Sequence, residues 1–306
     1  MRKVRVLVLP VAIERLYEAF VVRITALYRN IPYRPTALTQ HRAEEALLGH
    51  IRLGTLPRTR QWIQVLDLIG GGAGTPDVAA ATMDASQRGL INAAKDPGLV
   101  YTVWLLTQVP LAARSKDFVA RLQKLGLGVA DSPSLMEVVG AFTGAVDAHL
   151  RRTGGRTDLG EMAQMAAAEA LTALGTPANA SLFETTAPNA QQMIKSFSTS
   201  KQFSTLAREF FTRLSRKYLT YFLSRELSNY VSGDGRFSNI DRHAEFNKGL
   251  DLHCRQASRI IEEFSGGWFS KTNFEGGITQ AKAAGFVHIA LKKLRAELAK
   301  GEPAGE

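Results

Sequence analysis

Apolar residues recur through most of this chain at three- and four-residue spacing, the period of a helix that buries one face. Start and stop signals sit at the ends of these runs. In GTPDVAAATMDASQRGLINAAK, Thr75 is placed to cap a helix, Pro76 opens it, and Asp77 faces its positive end. SPSLMEVVGAFTGAVDAHLRRTGG predicts a helix from Ser132–Pro133 to Gly154–Gly155. Its last turn carries Arg151 and Arg152, where cations are favoured. TDLGEMAQMAAAEALTALG gives Asp158 and Glu161 the spacing of a capping box, with Gly175 as terminator. Further helices fit 11–28, 38–52, 57–69, 97–109 and 115–125, whereas two-residue alternation is convincing only in KVRVLVLP. The fold class predicted is all-α.

The stretch GTPANASLFETTAP, from Gly175 to Pro188, interrupts this regularity with two prolines and no basic residue. Before it the helices are short and Ala-rich; after it they lengthen and become aromatic and basic. The expected organisation is an N-terminal unit over 1–176, with about seven short helices and a short extended arm, a linker over 177–190, and a C-terminal unit over 191–306. The second unit reads as three long helices, near 199–231, 238–265 and 278–300. In the first of these, at about 100° per residue, Phe203, Leu206, Phe210, Leu214, Tyr218, Tyr221 and Phe222 share one arc, as a buried face requires. Lys201, Arg208, Arg213, Arg216 and Lys217 fall on the other side, with only Glu209 among them along the helix.

IIEEFSGGWFSKTNFEGG then reads as the end of the second long helix. Gly266 or Gly267 supplies the left-handed residue that stops a helix, and Gly276–Gly277 turns the chain into the last one. The intervening loop, with Trp268, Phe269 and Phe274, is expected to fold back over the bundle. Trp268, Lys271 and Asn273 are its candidate recognition edge for a base or a protein partner.

Composition narrows the setting. A chain of 306 residues with 45% hydrophobic and 22% charged content buries a sizeable core. The single cysteine, Cys254, excludes an internal disulfide framework and a cysteine-built zinc site, and a reducing cytoplasmic setting is expected. The N-terminal apolar run is broken by Pro10 and closed by Glu14 and Arg15 with no small-residue cleavage site, so it is not read as an export signal. No stretch has the length of a membrane span. The net charge of +10 divides into +7 over residues 1–60, −3 over 61–190 and +6 over 191–306. Basic ends around a near-neutral middle suit a partner rich in phosphate or carboxylate.

Catalytic and metal signatures are weak. The glycines of WIQVLDLIGGGAGTPD follow a helical spacing rather than a strand, and no Lys-Ser/Thr pair completes a phosphate loop. The histidines, His41, His50, His149, His243, His253 and His288, form no ligand motif, so no metal or cofactor is expected. Ser198 and Lys201 have the SxxK spacing of acyl enzymes, but the sheet that chemistry needs is missing from the pattern, and the stretch from Ser198 to Ser200 suits helix capping better. Glu262 and Glu263 are adjacent and diverge on a helix by about 100°. The sequence therefore points to binding: a non-catalytic cytoplasmic accessory subunit of a bacterial multi-protein system, antiphage defence being one such system. Its contact would be with nucleic acid, or a partner that handles it, through Lys201, Arg208, Arg213, Arg216 and Lys217. The alternatives are a protein–protein scaffold whose basic faces meet an acidic partner, and an enzyme whose site is assembled from distant residues.

Overall fold

The structure, a computed structural model, describes residues 59–86, 95–175, 187–227 and 240–300, together with Tyr230 and Phe237. These belong to the unit Gly49–Glu306. The expected extended arm and the helices at 11–28 and 38–52 lie outside the described residues, as does most of the connection at 177–190. The fold is all-α, with no β-strand among the described residues. Its helices are α1 (Arg60–Gly70), α2 (Thr75–Ala85), α3 (Pro97–Ala112), α4 (Phe118–Lys124), α5 (Leu135–Arg152), α6 (Asp158–Gly175), α7 (Ala187–Ser196), α8 (Ser200–Leu227), α9 (Ile240–Ala257), α10 (Arg259–Phe274) and α11 (Gln280–Leu298).

Short polar side chains begin these helices by accepting otherwise orphaned backbone N–H groups. Thr59 Oγ1 accepts from Trp62 N at 3.2 Å, and Asp96 Oδ1 accepts from Leu99 N at 2.8 Å, with Pro97 opening α3. The capping box of α5 is Ser134 with Glu137, at 2.7 and 3.2 Å, one residue beyond the expected start. Two other expected caps move by one. Gly74 rather than Thr75 precedes α2, and Thr157 rather than Asp158 caps α6, accepting from Gly160 N at 2.8 Å.

Two helices organise the packing. α3 is apolar around most of its circumference and is buried along its length, packing on α5, α6, α7 and α11. α8, the longest of these helices at 28 residues, rises about 42 Å and packs on α2, α6, α9 and α10. Val103 and Leu106 of α3, Phe210 and Phe211 of α8, and Phe286 of α11 belong to one continuous core, so helices on both sides of residues 177–190 are buried together. Polar ties cross the same divide. Arg114 at the end of α3 donates to the Ser198 hydroxyl at 2.8 Å, and Gln191 of α7 donates to Ala113 O and Ser115 O at 3.1 and 2.9 Å.

The C-terminal part departs from the three long helices expected. The span 238–265 is two helices that meet at Ser258, and α10 continues through Gly266–Gly267 to Phe274. The stretch read as an aromatic loop is therefore helical. A Cβ on Gly266 would stand 2.5 Å from the backbone oxygen of Ser200, so this glycine is where α10 presses on the start of α8. The turn comes later, at Gly276 and Gly277, with φ of +93° and +85°. α11 then starts at the N-cap Thr279.

Candidate binding sites

Four of the five cations expected to form a basic face are bound into an ion-pair belt across four helices. Arg208 of α8 meets Glu262 of α10 at 2.6 Å. Lys217 meets Glu169 of α6 at 2.6 Å, and Arg216 meets Asp251 of α9 at 3.3 Å. Arg213 pairs with Glu209 one turn away and approaches Glu169 at 3.9 Å. Arg255 of α9 closes the belt on Glu209 at 3.2 Å and Asp251 at 3.8 Å. The side chains of Arg208, Arg213 and Lys217 are no more than a quarter exposed. A phosphate arriving here has to displace a carboxylate from each of them, which removes most of the counterion-release advantage of a basic surface. Lys201, at the start of α8, is exposed and holds no ion pair among the described residues.

The second expected group lies on α10. Trp268 stacks on Phe286 at 4.2 Å and packs against Phe203, so its ring face is already covered. Phe269 stacks on Phe203 and is buried. Lys271 projects into solvent, 4.0 Å from Glu275. Asn273 is half-buried, and its backbone oxygen accepts from Gly277 N at 3.2 Å. The aromatic that does reach solvent is Phe274, 91% exposed at the end of α10, which the sequence reading placed among the plugging residues. The turn beyond it is held firmly. Trp104 Nε1 and Gln108 Nε2 donate to Ile278 O at 3.0 and 3.2 Å, and Lys282 Nζ donates to Glu275 O and Gly277 O.

Most reactive side chains have structural partners. Ser198 Oγ donates to Lys195 O at 2.6 Å and accepts from Arg114, so it is engaged as a helix-end group. Burial pushes the Cys254 thiol up to about 12. Burial, and secondarily Arg152, lower the pKa of His149, which lies flat on Tyr101 at 3.9 Å. His253 Nε2 sits 3.1 Å from Leu298 O. Gly70 and Gly71 end α1, and Gly72 turns away at φ +74°. Among the described residues no group of three His, Cys, Asp or Glu side chains is arranged to hold a metal ion, and no helix is long and apolar enough to cross a membrane.

A concave site opens at the far end of α8, which the sequence reading did not identify. It is a cleft of about 390 Å3 between the last turns of α8 and the first turns of α9. Leu223, Leu227 and Leu250 are its apolar residues; Thr220, Ser224, His243 and Asn247 supply polar groups. Each helix contributes its polar pair at i, i+4 spacing, which sets both members on one face. The imidazole of His243 lies edge-on to Phe237, and Asn247 Nδ2 is 3.4 Å from His243 Nε2.

No family model, curated protein or solved structure matches this chain.

Proposed function

We propose that this chain is a non-catalytic accessory subunit that works by docking on a protein partner, with the α10–α11 turn as its contact. The observation that carries this reading is Phe274, 91% exposed on a turn pinned to α3 through Ile278 O. A large aromatic fully in water stabilises nothing in the folded chain. Buried in a partner's apolar socket it becomes the kind of anchor that dominates protein interfaces, and the pinned turn lowers the entropy lost on docking. Lys271 and Glu275 flank it with one charge of each sign, as the rim of such a contact requires.

Nucleic-acid contact is the second reading, supported by a different set of residues. Lys201, Arg259, Lys292 and Lys293 are exposed and hold no ion pair among the described residues. Lys293 sits over the Phe264 ring at 5.6 Å, which places it beside α10, the helix that Arg259 opens.

Two variants separate the readings. Affinity-tagged full-length chain is recovered from its source cells as wild type, as Phe274→Asp, and as Lys292→Glu with Lys293→Glu. Binding of a labelled duplex is measured over a salt series in parallel. The docking reading expects a stoichiometric protein partner that is lost with Phe274→Asp at unchanged melting temperature, and duplex binding that is weak in all three. Partner recovery untouched by Phe274→Asp, together with a steep salt-dependent affinity lost in the double lysine variant, transfers the function to nucleic acid.

A further inference from the structure

We infer that the cleft between α8 and α9 is a binding site for a neutral purine nucleoside. This stands independently of the docking surface, at the opposite end of α8. The cleft's volume of about 390 Å3 lies within the range of small-ligand pockets, roughly 300–1,000 Å3. Leu223, Leu227 and Leu250 give a flat apolar ring something to pack against. Among the described residues no Lys, Arg, Asp or Glu lines the cleft, and this lining matches an uncharged ligand.

The polar groups narrow the class. The hydroxyls of Thr220 and Ser224 have no protein partner among the described residues, and each can donate as well as accept. The Asn247 amide spends at most one N–H on His243, and its oxygen and second N–H have no other partner among the described residues. That adjacent acceptor and donor complement the N6/N7 edge of an adenine, the pairing an asparagine makes in two simultaneous hydrogen bonds. The base is placed against the leucines with its edge toward Asn247. The ribose hydroxyls meet Thr220 and Ser224, whose groups are suited to sugar oxygens. A 5′-phosphate finds no Lys or Arg among the described lining residues.

Calorimetric titration of the full chain with adenosine, uridine and adenosine monophosphate tests the assignment. Adenosine is expected to bind at micromolar to sub-millimolar concentration, with uridine and the monophosphate weaker. Asn247→Ala is expected to weaken adenosine by about tenfold or more. Ser224→Trp, which fills the cleft from an exposed position, is expected to abolish binding. Melting curves of both variants establish that they fold, and Thr220→Leu serves as a second block if Ser224→Trp does not. No heat with adenosine at millimolar concentration overturns the inference. So does equal or tighter binding of the monophosphate, and so does adenosine affinity that is unchanged in the folded cleft variants.

Discussion

Gly266 and Gly267 show how two identical letters acquire opposite roles. In the sequence the pair reads as a helix terminator, because glycine is the usual left-handed residue after a last turn. Neither has a positive φ in the structure, and the helix passes through both. Gly266 is needed for contact: a Cβ there would meet Ser200 O at 2.5 Å and Ser200 Oγ at 2.8 Å. Gly267 has nothing within 4 Å and gains nothing from lacking a side chain. Gly266→Ala is therefore expected to destabilise by about 1–3 kcal/mol through overpacking against backbone. Gly267→Ala is expected to stabilise by up to about 1 kcal/mol through helix propensity. Urea unfolding of the two variants checks this, and shifts of the same sign would return the pair to its terminator reading. Caps were legible to within one residue, as at Ser134 and Thr157, because their chemistry is local. The role of Gly266 was not, because its partner is 66 positions away.

The belt around α8 makes the same point for helices. Five cations could be read from the α8 sequence, but of their partners only Glu209 lies on the same helix. Glu169, Asp251 and Glu262 arrive from α6, α9 and α10, through packing that no periodicity specifies. The cleft was hidden for the same reason, since His243 and Asn247 face Thr220 and Ser224 only after α9 folds back. With four of these five cations paired, the belt acts mainly as a fastening between α8 and its neighbours. Arg213, whose side chain is 19% exposed, sits between Glu209 and Glu169. Arg213→Glu sets three carboxylates together with little solvent to screen them, and a loss of about 2–4 kcal/mol is expected. Arg216, whose side chain is half exposed, is worth much less, and Arg216→Glu is expected to cost under about 1 kcal/mol and to be nearly silent at high salt. Denaturant unfolding at low and high ionic strength distinguishes them; equal costs would mean that the belt contributes no more than a solvated surface.

The change from Ala-rich to aromatic helices near 177–190 was visible in composition, and it invites a boundary between independently folding halves. The packing argues for one cooperative body instead. Tyr218 of α8 donates to Ser86 O, 132 positions away, at 2.8 Å. Phe222 of α8 packs near Trp62 of α1, with ring centroids 6.3 Å apart. Phe210 lines the same core space as Val103 and Leu106 of α3. The composition shift thus marks where the large side chains sit, on the central helix α8, while smaller residues of α3 and α6 close around it. Gly98 and Gly160, whose backbones approach so closely that a Cβ on Gly98 would be 2.7 Å from the other's Cα, belong to that closure. A fragment of residues 190–306 loses the partners of Tyr218, Phe222 and Phe210. At about 1.5–3 kcal/mol for each buried side chain, this withdraws on the order of 5–9 kcal/mol, comparable to the whole stability of a typical domain. The fragment is expected to keep helical circular dichroism but to lose near-ultraviolet signal, amide dispersion and a cooperative melt. A sharp transition and dispersed spectrum from 190–306 alone would show instead that α8 to α11 close a core without α1 to α6. Any binding measured on that fragment would then carry over to the full chain, whereas the unfolded outcome means that only the full chain can present the Phe274 turn or the α8–α9 cleft in the geometry described.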